Sequence, residues 1–283
     1  NTSTTLQNHS MTLEYTTNPV WLALQSLPYL LEYQHECAEQ TFARYYANTI
    51  ATEIISSNSK IAALFESWKT KGTPQSKLEM NEELKSTILA ESPWLMDAKS
   101  EDEKNKRLAL LFDLNALKEK NDETFTKLTS KLLPSGGFPW FDGGNENIFI
   151  SQHILSGIGH LNTLFPKNSS KYEAIIKKGI PNLDSNFINR KTNKNRLYYW
   201  NYTDLHYLYT RSFYLDNYPF SKKIDSLVAI EMKTIKKDWL TYFLYEKVMI
   251  ALVMHRLKEH DFAKKIMTHL KESSSTNIDY GMY

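Results

Sequence analysis

Val20-Trp21-Leu22-Ala23-Leu24-Gln25-Ser26-Leu27-Pro28-Tyr29-Leu30-Leu31 sets the fold class. Val20, Trp21, Leu24, Leu27, Leu30 and Leu31 recur at three- and four-residue spacing, the period of one helix face. Pro28 predicts a kink or stagger in that helix. A break near Gln34-His35-Glu36 leads into a second helix over about 38–56. Further helical stretches are expected at about 59–71, 75–91, 100–132, 145–165, 169–180, 200–215, 221–234, 237–258 and 260–273, most of them joined by short connections. Composition agrees: 9 glycines and 9 prolines among 283 residues leave few helix breakers. The expected class is all-α. Successive antiparallel helix pairs suit a bundle, a solenoid or an α/α toroid, and no fixed-length repeat chooses among them.

Upstream of Val20 the pattern differs. Met11-Thr12-Leu13-Glu14-Tyr15-Thr16 alternates apolar and polar like a short strand, and Asn18-Pro19 ends it. A single strand has nothing to pair with, so residues 1–19 read as the end of a preceding β domain and 20–283 as one helical domain. The chain opens on Asn1 rather than Met, which reads as a piece of a longer protein. No apolar run reaches the length of a membrane span, and no signal peptide opens the sequence. With 34 basic and 32 acidic residues, charge gives no support for nucleic acid or an anionic membrane as partner. A single cysteine rules out an intrachain disulfide. No metal-ligand spacing such as His-Glu-x-x-His occurs, and no cofactor is expected.

That cysteine stands in His35-Glu36-Cys37-Ala38-Glu39-Gln40-Thr41. Joining the Cys37 sulfur to the Gln40 side-chain carbonyl closes a ring of about 15 atoms, short enough for the turn that enters a helix. Loss of ammonia from Gln40 gives a thioester. Thiolates leave more readily than amines or alkoxides, so the acyl group is open to a lysine amine or a hydroxyl. Glu39 is a candidate for orienting the turn. Read alone, Cys-x-Glu-Gln is equally a small buried cysteine beside two helix formers.

Residues around the motif add to it. The run Asn18-Pro19-Val20-Trp21, Leu27-Pro28-Tyr29-Leu30 and Glu36-Cys37-Ala38-Glu39-Gln40-Thr41-Phe42-Ala43-Arg44 resembles the thioester region of bacterial alpha-2-macroglobulins. Gly136-Gly137-Phe138-Pro139-Trp140-Phe141 resembles their glycine-aromatic loop, and Ile148 to Leu161 the helix after it. Leu205-His206-Tyr207-Leu208-Tyr209-Thr210-Arg211-Ser212 and Gly281-Met282-Tyr283 are similar to further segments of Bacteroidetes-type members. The likeness covers about residue 11 to the end. It implies an α/α toroid whose thioester traps attacking proteases through their lysines, stoichiometrically rather than with turnover. It implies further domains on the same chain and a place in the cell envelope or periplasm, anchored by another part of the protein. Vertebrate relatives carry Gly on both sides of the thioester Cys, where Glu36 and Ala38 stand here. Gly-Met-Tyr sits where family members continue, so the last hairpin is expected to be missing.

Secondary candidates follow from residue type. His153 and His206, on apolar helices, are candidate assisting bases or plain core histidines. Complement relatives use a His in a loop whose counterpart here reads as Ile180 to Arg196, which holds none, and that points to amine targets. Phe138, Trp140, Phe141, Tyr45 and Tyr46 are candidates for shielding the acyl group from water. His35, two residues before Cys37, is out of register for a Cys–His dyad. Arg190, Lys191, Lys194 and Arg196 read as a solvated basic loop. Two alternatives stay open. One is a polysaccharide-active toroid enzyme using carboxylates such as Asp142, Glu146 and Asp204. The other is a scaffold in which no thioester forms.

Overall fold

The computed structural model of the chain describes residues 37–57, 63, 114–192, 201–277 and 281–282. The expected strand at 11–16, the kinked helix from Val20, His35, the helix at 59–71 apart from residue 63, the helix at 75–91, and the first part of that at 100–132 lie outside the described residues. The described residues are mostly helical and fall into two compact units, one within 40–128 and the other made of 37–39 with 129–283.

In the first unit, α1 (Ala38–Ser57) meets α2 (Leu114–Ser130). Phe42, Tyr45 and Thr49 recur at helical spacing and are all buried. The Tyr45 ring packs on Phe125 with centroids 5.1 Å apart, and Asn121 Nδ2 donates to Thr49 Oγ1 at 3.2 Å. An apolar contact and a satisfied polar pair thus fix the register of the two helices.

The second unit is built on α3 (Ile148–Leu164), buried on nearly every side by Ile150, Ile154, Leu155, Ile158 and Leu161. Asn147 caps it, its side chain accepting from the Ile150 amide. α4 (Glu173–Thr192) and α5 (Asn201–Arg211) pack against it, α6 (Lys222–Asp238) packs on α4, α7 (Leu244–Arg256) on α5, and α8 (His260–Ser273) on α7. Contact pairs give their directions. Gln152 donates to the Thr203 carbonyl and His160 meets the Tyr209 hydroxyl, so α3 and α5 run parallel. Tyr202 meets Tyr245 and Ser212 meets Arg256, so α5 and α7 also run parallel. Arg190–Asp204, Phe187–Tyr207 and Asp184–Arg211 make α4 antiparallel to α5. One layer therefore holds parallel α3, α5 and α7, and the chain returns between them through other helices. Close approach of α3 and α4 needs Gly179, where a Cβ would stand 2.7 Å from Leu155 Cδ1.

Four expectations change. The helix placed at 169–180 runs as α4 from Glu173 to Thr192, with a short 3-10 stretch over Pro166–Tyr172 before it. Pro181 sits inside α4 on its exposed side. The stretch from Ile180 is therefore helical to Thr192 rather than a loop, and Arg190 and Lys191 belong to its last turn. The single helix expected at 237–258 is interrupted: Phe243 is extended, and the Glu246 carboxylate accepts from its amide to start α7 afresh. Extended structure is not confined to the N-terminal segment, since Thr276–Asn277 pairs antiparallel with Gly281–Met282.

Candidate functional site

Cys37 immediately precedes α1, and Gln40 is that helix's third residue. These are the positions whose side chains reach across the first turn in a capping box, with Cys where Ser or Thr usually stands. Both residues thus stand at the start of this helix. Cys37 is 4% exposed, and the Glu39 carboxylate lies 3.9 Å from its sulfur.

The glycine loop reaches this helix end through its backbone. Trp140's carbonyl accepts from the Ala38 amide at 3.0 Å, taking one of the donors that a helix start leaves without an intrahelical partner. The loop is held in turn by α3 and α4. Phe138, fully buried, donates its amide to Ser151 Oγ at 2.8 Å and accepts at its carbonyl from Asn147. Glu146 folds under the loop, where Ser135 donates to it at 2.9 Å, Asn182 at 3.0 Å and Asn186 at 2.7 Å. Gly136 has φ +90°, and a Cβ there would stand 2.2 Å from the Lys178 carbonyl oxygen. The glycine density is thus explained by a turn pressed onto α4.

A run of rings extends from the loop. Phe141 stacks on Trp140, Trp140 on Phe149, and Phe149 on His153, with centroids between 6.1 and 6.4 Å apart. Phe149 also meets His206, which meets Tyr202, which meets Tyr245. Trp140 and Phe141 are exposed, at 44% and 68%, while Phe138 is core. Tyr45 packs on Phe125 in the first unit. Phe149, Tyr202 and Tyr245 escaped the sequence reading. A signal was present: Phe149 and His153, and Tyr202 and His206, are four residues apart on helices that prove to be neighbours.

The electrostatics separate the two histidines. His206 is buried, and burial first, then the charge of His153, pull it down to about 3. Its Nδ1 has no hydrogen-bond partner among the described residues. His153 is lowered by burial and partly restored by Glu39, so it senses the carboxylate that lies against Cys37. His153, Glu39 and Cys37 thus share one neighbourhood, in which His206 is a neutral core member. Burial likewise pushes Tyr202 up to about 12, with help from Tyr245.

The His206 shift predicts a pH effect. The unfolded chain protonates this side chain near about 6.5, whereas the folded protein keeps it neutral down to about 3. Between those values the unfolded state binds more protons. Acidification through that window therefore lowers stability, at up to about 1.4 kcal/mol per pH unit, and stability returns as pH rises. His206→Phe removes the titrating group but keeps a ring. Urea unfolding at several pH values should give a shallower acid slope for the variant, and equal slopes would contradict a buried neutral His206.

No family model, curated protein or solved structure matches the chain. The carboxylates of the enzyme alternative are separately engaged: Asp142 by Lys131 at 2.5 Å, Glu146 by Ser135 and two asparagines, and Asp204 by Arg190 and Lys191. Each is committed to its own cation or amides. Arg190 is 6% exposed, which corrects its reading as part of a solvated basic loop; Lys194 and Arg196 lie outside the described residues. Among the described residues no cluster of three or more His, Cys, Asp or Glu side chains has metal-binding geometry, and no helix is long and apolar enough to cross a membrane.

Proposed function

We propose that this chain is the thioester domain of a bacterial alpha-2-macroglobulin-like protease inhibitor. The observation that carries the reading is the placement of Cys37 and Gln40. The one is a buried residue at the start of α1, the other lies on the same first turn, and the amide of Ala38 between them is tied to the glycine-aromatic loop. Two stretches singled out for the same family likeness, far apart in sequence, thus meet in a hydrogen bond. Alternation of parallel α3, α5 and α7 with returning helices supports an α/α toroid over a simple bundle.

The chemistry follows from the groups. The Cys37 thiol adds to the Gln40 side-chain carbonyl, ammonia leaves, and a thioester closes over the turn. Backbone N–H groups at the start of α1, with the positive end of the helix dipole, favour the oxyanion in this step and in the later attack. A lysine amine of an attacking protease then adds to the acyl carbon. The Cys37 thiolate leaves, an amide joins the two proteins, and the proton lost by the amine ends on the thiolate. In this reading His153, which feels the charge of Glu39, carries that proton. Trp140 and Phe141, exposed on the loop that holds Ala38, limit access of water once further domains cover them. Each domain reacts once, so the activity is trapping rather than turnover. Other domains of the same chain and a site in the cell envelope or periplasm belong to the same proposal.

Intact mass tests it directly. With the thioester closed, the chain should weigh less than its encoded sequence by one ammonia. Methylamine should then add to Gln40 and expose one thiol per chain. A protein of full encoded mass that neither gains methylamine nor changes its thiol content would overturn the reading in favour of a scaffold.

A further inference from the structure

α7 ends at Arg256 and α8 begins at His260, leaving only Leu257, Lys258 and Glu259 to reverse the chain. Lys258 does so in the left-handed region at φ +65°. Its amide donates to the His255 carbonyl, and the Glu259 amide to the Met254 carbonyl at 2.8 Å, which closes the end of α7. This tight reversal brings together two exposed rings, His255 from the last turn of α7 and His260 from the first residue of α8. Their Nδ1 atoms face each other at 3.3 Å, with ring centroids 5.0 Å apart and planes inclined at 62°.

We propose that His255 and His260 form a two-imidazole site for a divalent transition-metal ion of the zinc, nickel and copper class. The separation of the two nitrogens is the argument. Metal–imidazole bonds of about 2.0–2.1 Å meeting at a tetrahedral angle place their nitrogens about 3.3 Å apart. The site therefore presents the spacing of a chelate before any ion arrives. At this distance one ring can donate to the other, with the roles set by the tautomers. When an ion binds, each neutral ring keeps its proton on Nε2, the Nδ1 proton moving there through solvent, so that both Nδ1 lone pairs face the metal. His255 lies at the C-terminal end of α7, where the helix dipole favours a cation. Glu259, between the two rings in sequence, is engaged instead by Lys236 at 2.8 Å. Water completes the shell, and the bound ion clamps α7 to α8. The five-residue separation fits no helical ligand spacing, because the rings belong to different helices and only the Lys258 turn unites them.

Calorimetric titration of the chelator-treated chain tests this with Zn2+, Cu2+ and Mg2+ as probes. Copper should bind more tightly than zinc, and magnesium not measurably, as the affinity order for nitrogen ligands requires. His255→Ala and His260→Ala should each weaken zinc binding roughly a hundredfold, since the second imidazole binds at high effective concentration. Zinc should raise the melting temperature of the wild type and of neither variant. Addition of Zn2+ should also shift the ring resonances of both histidines together in the wild type, a readout that needs no variant. Variants that bind zinc as tightly as wild type, magnesium binding comparable with zinc, or ring resonances that do not move would each overturn the site.

Discussion

Cys37→Ala is expected to reduce methylamine incorporation at Gln40 to background, more than about a hundredfold below wild type, while leaving the fold in place. An unactivated glutamine amide does not exchange with methylamine on the timescale of such an experiment. The whole reactivity of Gln40 therefore depends on the sulfur. The stability cost should be small, about 1 kcal/mol, because one buried atom is lost from a residue that is already compact. Neighbouring contacts survive the change, since the Ala38 amide still meets the Trp140 carbonyl and the glycine loop keeps its hold on α3. Circular dichroism should thus match wild type while labelling disappears. Gln40→Glu serves as the companion: it keeps Cys37 but encodes a carboxylate with no ammonia to lose. Both variants should have full encoded mass. Equal labelling of Gln40 in wild type and Cys37→Ala would sink the thioester mechanism, since no other group on the chain then accounts for the reaction.

Much of the helical order was legible because apolar spacing is a local property. The segments read at 145–165, 200–215 and 260–273 correspond to α3, α5 and α8 within a few residues. Errors arose where a local rule met a tertiary exception. The helix read at 169–180 runs on as α4 through the exposed Pro181 to Thr192, so the early end expected there was wrong. Arg190 and Lys191 looked like solvated charge, since nothing nearby in sequence reveals that Asp204 and Glu231 stand opposite them. At the candidate site the motif residues could be named in advance, but the neighbours that make it a site could not. Phe149, His153, Tyr202 and His206 come together only because α3 and α5 run parallel, and direction is not written in the period of a helix.

The largest stability effect is expected at Asp204. This carboxylate is 1% exposed on the first turn of α5, where Arg190 Nε donates to it at 2.9 Å and Lys191 Nζ at 2.6 Å. Lys191 is also shared with Glu231 of α6, so one network ties α4, α5 and α6 together. Arg190 and Lys191 lie against the face of Phe187, itself stacked on Tyr207 at 4.1 Å. Arg190 has no exit to water and already leaves two terminal guanidinium nitrogens without partners among the described residues. Asp204→Ala would strand that cation in a dry site, at a cost of about 3–5 kcal/mol. Against a total stability of about 5–15 kcal/mol for a domain, that loss is severe. The exposed Lys236–Glu259 pair provides the contrast, since Glu259→Ala should cost less than about 1 kcal/mol. Desolvation also makes the expectation directional. If the penalty lies in the orphaned charge rather than in a lost attraction, removing the charge should relieve it. Arg190→Met combined with Asp204→Ala should therefore be more stable than Asp204→Ala alone, with a coupling of about 1–3 kcal/mol in a double-mutant cycle. Urea unfolding of the four proteins measures this. Strictly additive losses would show that Arg190 finds water or another partner when Asp204 is removed, and that the helices are held by their apolar contacts rather than by this charge network.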